Sequence, residues 1–286
     1  DVDEPFVSID GRDFTLGERL LTEPRVVFDY LANIFLPRFG LYGLYHDGFA
    51  ISRNVVAPWT TLPAIVGVLG AAIVGFISRR RWPLLALAVL WYLGGQLIES
   101  STVMLELYFE HRNYVPIIGP FIAIALGLVG TPEPLLRKRL MGVAILWLVA
   151  SAFTTFLSAR VYASEDSLAM AWAAKQPESV RAQSMLAGRF YQHGQMTQAL
   201  ATVESALDKH PDDAGLAENR VYLKCVRGDL TDLDMQALTT LLRPDTFHRG
   251  AFTNMETVRL LSNARRCAAL NPQTWQLLVP ALLANS

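Results

Sequence analysis

Charge is scarce in this chain of 286 residues, and what there is nearly cancels: 25 Lys and Arg stand against 26 Asp and Glu, 18% of the residues together. Soluble domains usually carry about a quarter. No basic excess exists to form the positive stripe that a nucleic-acid binder uses to neutralise phosphates, so that class of partner is excluded. Cysteine is nearly absent. Cys225 and Cys267 are too few for a disulfide framework or a cysteine zinc site, and they read either as one pair or as two small apolar core residues. The chain opens on Asp1 without Met and without a basic-then-apolar leader, so it is expected to be an excerpt or a processed product. Disorder is not expected as the dominant state, because 52% of residues are hydrophobic.

The charges that are present leave long gaps. None falls within 59–78, 82–98, 113–132 or 140–159. An apolar helix of ~20 residues covers the ~30 Å hydrocarbon core of a bilayer, and these four runs predict four membrane spans. Arg79-Arg80-Arg81 and Arg137-Lys138-Arg139 lie between spans one and two and between spans three and four. Short loops rich in Lys and Arg stay cytoplasmic. Both basic loops therefore face inward, while residues 1–58, the loop near 99–112 and everything after Arg160 face outward. Trp59, Trp82 and Tyr114 fall near span ends, where amphipathic rings prefer to sit. The expected organisation is an extracytoplasmic segment 1–58, a four-span region 59–159 and an extracytoplasmic domain 160–286.

Within the first segment, Thr22-Glu23-Pro24 reads as a helix start: a capping hydroxyl, an acid in the first turn and Pro where no amide is needed. The apolar run from Val26 to Leu36, broken by Asp29 and Asn33 and ended by Pro37, is too short to cross. It predicts a helix lying in the outer interface, or else the last turns of a truncated span. Leu44-Tyr45-His46-Asp47-Gly48 reads as a surface turn in which His46 and Asp47 share a local hydrogen bond.

The tail has a different character. Pro177 and Pro211 are 34 residues apart, the tetratricopeptide (TPR) period. In that register fall Leu186, Ala187, Phe190, Gly194, Ala199, Val203, Ala206 and Pro211, the apolar positions and turn glycine that let one helix of a unit pack on the other. Ala169 and Trp172 match the second helix of a preceding unit, and Ala217, Val221 and Gly228 begin a following one. The fold class expected is all-α: polytopic membrane helices, four spans, followed by an α-α TPR-like solenoid with a degenerate cap over 244–286. Such an array binds a peptide or partner along its concave face, or stiffens or dimerises the protein.

The outer loop carries the chemistry-bearing residues. Glu99, Glu106, Glu110, His111 and Arg112 gather at the mouth of a span, where charges are paired or functional. Arg offers a planar fork of donors suited to phosphate, and His111 can share a proton with an adjacent acid. Anchoring of the helix end by Glu110 and Arg112 is the structural alternative. The block Phe109-Glu110-His111-Arg112-Asn113-Tyr114-Val115-Pro116, with Gly119, resembles a signature of TPR-tailed GT-C membrane glycosyltransferases, a group related to the transmembrane-and-TPR O-mannosyltransferases. Residues 18–26 and 44–47, and the order of outer segment, spans and tail, are similar to bacterial members of that family, although only to their carboxy-terminal part.

The resemblance implies a bacterial inner-membrane enzyme with a periplasmic tail. Such an enzyme moves a sugar from a polyprenyl-phosphate donor to a protein hydroxyl on the extracytoplasmic face. It further implies that Glu110, His111, Arg112 and Tyr114 belong to the lipid-phosphate donor site, with Arg25, His46 and Asp47 as secondary candidates. The catalytic acid of the family lies in a first outer loop that has no counterpart here. No cofactor is firmly implied, and a divalent cation stays open. The expected partners are membrane lipid, the lipid-linked sugar and a protein or peptide acceptor held by the tail. Two other functions stay open: a membrane-anchored TPR scaffold without catalysis, and an O-oligosaccharyltransferase of the O-antigen-ligase type.

Overall fold

The computed structural model describes residues 14–40, 46–97, 100, 107–242 and 267. Among these are ten α-helices and no strand. Residues 13–159 form one compact unit, and the residues from Arg160 onward belong to a second. The features expected at Leu44-Tyr45, Glu99 and Glu106, and the cap over 244–286, lie outside the described residues.

Helix α1 (Leu16–Phe35) begins earlier than the sequence pattern predicts. The Thr15 hydroxyl accepts from the Glu18 amide at 3.3 Å, and the Glu18 carboxylate accepts from the Thr15 amide at 2.8 Å. This reciprocal capping box satisfies two orphan donors and outcompetes the later start. Thr22-Glu23-Pro24 consequently sits inside the helix. There the Thr22 hydroxyl donates to the Glu18 carbonyl at 2.7 Å and accepts from the Ser52 amide at 2.8 Å.

Four further helices complete this unit: α2 (Thr61–Ser78), α3 (Pro83–Gln96), α4 (Ile118–Gly130) and α5 (Pro134–Tyr162). With 18 and 29 residues, α2 and α5 are long and apolar enough to cross a membrane. At 14 and 13 residues, α3 and α4 are apolar but shorter. Two boundaries differ from expectation. The charge-free run beginning at Asn113 enters α4 only at Ile118, because Glu110–Asn113 winds as a 3-10 turn and 114–117 continue it as turn. The Arg137-Lys138-Arg139 cluster lies within α5 rather than in a loop. Pro134 suits a first helical position, and the Glu133 carboxylate caps the amides of Leu135 and Leu136 at 3.2 and 2.7 Å.

The helices pack in chain order, α1 on α2, α2 on α3 and α3 on α4. The last contact depends on missing side chains. A Cβ on Gly119 would stand 2.5 Å from both Cβ and Cγ of Trp91, and one on Gly95 would stand 3.0 Å from the Pro116 Cα. The Trp91 indole then reaches across to donate to the Val115 carbonyl at 3.0 Å. The Trp147 indole of α5 donates to the Phe35 carbonyl at the end of α1, 2.8 Å away.

The second unit contains α6 (Glu165–Lys175), α7 (Val180–Gln192), α8 (Met196–Lys209), α9 (Ala214–Arg227) and α10 (Asp232–Leu241). Each helix packs on the next, and α7 also meets α9. Side-chain caps from Ser164, Ser179, Asp213 and Thr231 open four of them. Ala187, Ala199, Val203 and Ala206 are buried in one core with Leu216, Val221 and Leu238, and Phe190 packs against it. Small residues at these positions bring helix axes close. Gly194 turns the chain between α7 and α8 with φ of 72°, a conformation that penalises any Cβ. Cys225 and Cys267 are not two separate apolar residues: they form a disulfide with Cα atoms 4.9 Å apart, tying α9 to a point 42 residues further on.

Two outcomes follow from this packing. Gly119→Ala lowers the thermal unfolding midpoint of the detergent-solubilised protein, with ~1–3 kcal/mol of overpacking. Gly70→Ala, where no atom lies within 4 Å of the new Cβ, leaves the midpoint in place. For the disulfide, Cys225→Ser or added reductant removes ~2–4 kcal/mol, read as a lower denaturation midpoint, and thiol titration of the untreated, denatured protein finds both cysteines blocked.

Candidate functional site

Helix α1 presents a stripe of Arg19, Thr22, Glu23, Val26 and Tyr30 at three- and four-residue intervals, all of them buried. Its first half holds an ion pair: Arg19 Nη2 lies 2.8 Å from Glu23 Oε1, with side-chain exposures of 0% and 4%. Nearby, the Arg25 guanidinium donates through Nε to the Thr60 hydroxyl (2.8 Å) and through Nη1 to the Ala50 carbonyl (2.5 Å) and the Ser52 hydroxyl (3.2 Å). It also lies over the Phe49 ring. Burial lowers the Arg25 pKa, and the charge of Asp29 opposes that shift. Arg25 therefore staples α1 to the segment that follows it.

The second half of α1 receives the segment from Leu107 to Asn113. The Tyr30 hydroxyl accepts from the Phe109 amide at 2.7 Å. Tyr108 donates to Asp29 Oδ2 at 2.6 Å and accepts from Asn33 Nδ2 at 2.7 Å, while the same Asn33 nitrogen donates to Asp29 at 3.1 Å. The rings of Tyr30 and Tyr108 meet edge to face, 4.7 Å apart. Burial, then the hydrogen bond and charge of Asp29 and the charge of Glu110, push the Tyr108 phenol well up, so it stays a donor at any physiological pH. Burial likewise raises Tyr30. The 3-10 turn is fixed from the other side, where Gln96 Nε2 donates to Asn113 Oδ1 at 2.8 Å and Asn113 Nδ2 donates to the Glu110 carbonyl at 3.2 Å.

These anchors sort the predicted site residues. Arg112 and Asn113 turn inward and are buried, with the Arg112 guanidinium 5.5 Å from the Phe109 ring centre. Glu110, His111 and Tyr114 turn outward, Tyr114 with 77% of its surface exposed. His111 packs its ring against Phe109. His46 does not confine itself to its neighbour Asp47: its Nε2 lies 2.9 Å from Glu110 Oε1, and its ring stacks on Tyr108 at 4.2 Å and 25°. Burial alone would raise the Glu110 carboxyl. The hydrogen bond and charge of His46, joined by a backbone amide and His111, outweigh it and hold the pKa below the ordinary carboxylate value. Asp47 stays exposed.

His46 and Glu110 thus come together from different loops, a pairing invisible in the sequence. Asp29 and Asn33 were visible only as interruptions of an apolar run, yet their four-residue spacing on a helix puts them on one face. That spacing marks a polar face on α1 but does not say what meets it. Among the described residues no group of three or more His, Cys, Asp and Glu is placed to hold a metal ion. Comparison of the chain with family models, curated proteins and solved structures returned no match.

Removing one partner of the Arg19–Glu23 pair takes a counter-ion at 2.8 Å away from a buried charge. Glu23→Ala is expected to destabilise the protein by ~3–5 kcal/mol, and the double replacement Arg19→Met with Glu23→Leu to recover most of it. Thermal unfolding in nanodiscs checks both; equal losses in the single and double variants would show that the pair is not the stabilising unit.

Proposed function

We propose that this chain is part of an integral-membrane glycosyltransferase that moves a sugar from a polyprenyl-phosphate donor to a protein hydroxyl on the extracytoplasmic face. The one observation that carries the proposal is the shape of the 109–116 motif. Its buried residues lock it onto α1 and α3, so that Glu110, His111 and Tyr114 project together beside the amino-terminal end of an apolar helix. A phosphate-sugar on a lipid tail is anchored at that level of a bilayer. Hydrogen-bonding groups there, His111 and Tyr114, stabilise the departing lipid phosphate as the anomeric carbon is displaced.

The topology that goes with this function has four spans, α3 and α4 being extended by flanking turns, and the inward face is set by the basic clusters at 79–81 and 137–139. The Cys225–Cys267 disulfide supports an outward-facing tail, since such bonds persist in oxidising compartments. In the tail, α6 to α10 stack as a TPR-like solenoid that holds the acceptor or a partner. Buried alanines in the 34-residue register and the Gly194 turn support that assignment.

Reconstitution of the full-length protein into liposomes with a labelled polyprenyl-phosphate sugar and membrane-protein acceptors tests the function. Label is expected to pass to protein. His111→Ala and Tyr114→Ala, at exposed positions, are expected to change stability by less than about 0.5 kcal/mol while slowing transfer about tenfold or more. Transfer unchanged in both removes the motif from the donor site, and an absence of transfer by the unaltered protein leaves a TPR scaffold instead.

A further inference from the structure

Close approaches set the register of α3 against α4 and the turn that leads into it. Gly95 meets Pro116, Gly119 meets Trp91, and a Cβ on Gly127 would stand 3.9 Å from Leu84 Cδ1. As one residue number rises the other falls, so the two helices are antiparallel and α3 begins beside the end of α4. Arg79, Arg80 and Arg81 stand just before α3, and Arg137, Lys138 and Arg139 follow α4 within the first two turns of α5. Both clusters therefore lie at one end of the unit, opposite the 109–116 motif, and all six side chains are exposed.

Opposing charge is scarce at that end. No acid occurs between Thr61 and Ile98, and Glu133 is the one carboxylate between Tyr114 and Ser164. Its oxygens are engaged with the amides of Leu135 and Leu136. Arg79 folds back on α2, donating to the Phe76 carbonyl at 2.8 Å with its guanidinium 3.7 Å over the Phe76 ring. The other five cations form no ion pair among the described residues. Like charges gathered at one end repel one another, and an anion placed among them relieves that repulsion.

What flanks the cations selects the anion. Ile77 is 73% exposed, and Trp82, Leu136 and Leu140, next to the basic residues in the chain, are exposed as well. A free phosphate would meet the cations and leave this apolar rim bare. A phospholipid fits both, because its phosphate is fixed to acyl chains that can lie along the helix sides. Guanidinium forks suit phosphate oxygens, and basic pockets between membrane helices hold anionic headgroups in this way.

We propose that this end of the unit binds the headgroup of an anionic phospholipid, held between the 79–81 turn and the first turns of α5. This rests on the membrane placement proposed above and not on sugar transfer. Basic residues that only orient the chain would sit equally well beside any lipid, whereas a headgroup site prefers a negatively charged one.

The test uses the full-length protein in phosphatidylcholine vesicles, with a trace of spin-labelled phosphatidylglycerol or spin-labelled phosphatidylcholine as the probe. The motionally restricted fraction of each label reports the lipid held at the protein surface. The anionic label is expected to be held about threefold or more in preference to the zwitterionic one. Arg80→Gln with Arg81→Gln, and separately Arg137→Gln with Arg139→Gln, are each expected to remove most of that preference. An equal hold on both labels by the unaltered protein overturns the proposal, and so does a preference unchanged in both double variants. If the variants do not fold, salt decides. At about 1 M, where the screening length is ~3 Å, the preference is expected to vanish, and its persistence overturns the proposal. Displacement of the anionic label by inorganic phosphate also overturns it, since the site would then take a free anion. Protein that fails to float with vesicles of any composition overturns the membrane placement and the proposal together, whereas protein that floats without a lipid preference overturns the proposal alone.

Discussion

Polar groups removed from water must find partners, and among the described residues of 14–113 several find them far away in the chain. Tyr30 takes the Phe109 amide, Tyr108 bridges Asp29 and Asn33, Asn113 meets Gln96, and Tyr92 donates to the Val27 carbonyl at 2.9 Å. Each bond is worth ~1 kcal/mol net, but an unmade one in a dry site forfeits more than that. The whole set therefore forms together. Because Tyr108 and Phe109 are held on α1, the next residues have little choice of direction: Glu110 is turned out and Arg112 in.

Close backbone approach does the complementary work. Gly95 and Gly119 let α3 and the start of α4 come so near that Pro116 and Trp91 fill the space side chains would occupy. The hydrogen bond from Trp91 to Val115 exists only at that separation. A surface motif is thus positioned from beneath by two glycines and from the side by two tyrosines. The tight fit of Gly119 against Trp91 supplies a mechanical reason for a glycine at that place.

Much of the helix content could be anticipated from the chain. Charge gaps led to α2 through α5, and a 34-residue register led to α7 and α8 with Gly194 at their turn. Ends of helices were harder, because caps compete. Thr15-x-x-Glu18 and Thr22-Glu23-Pro24 are both plausible starts, and the reciprocal bonds of the first decide between them. Pro134 after Glu133 similarly draws α5 back over the basic cluster. In the candidate site, the 109–116 motif stood out by composition. Its coupling to Asp29, Asn33 and His46 did not, since that depends on how a loop folds onto a helix many residues earlier. The sorting of Glu110 from Arg112 was equally hidden, because neighbouring residues in a 3-10 turn point in different directions.

The link between Cys225 and Cys267 closes a ring in the covalent structure of the second unit. A proteolytic cut anywhere in the segment it spans opens that ring without releasing a fragment, so both ends stay attached to α9. The bond turns what would be the loss of a fragment into a nick that leaves both pieces in place.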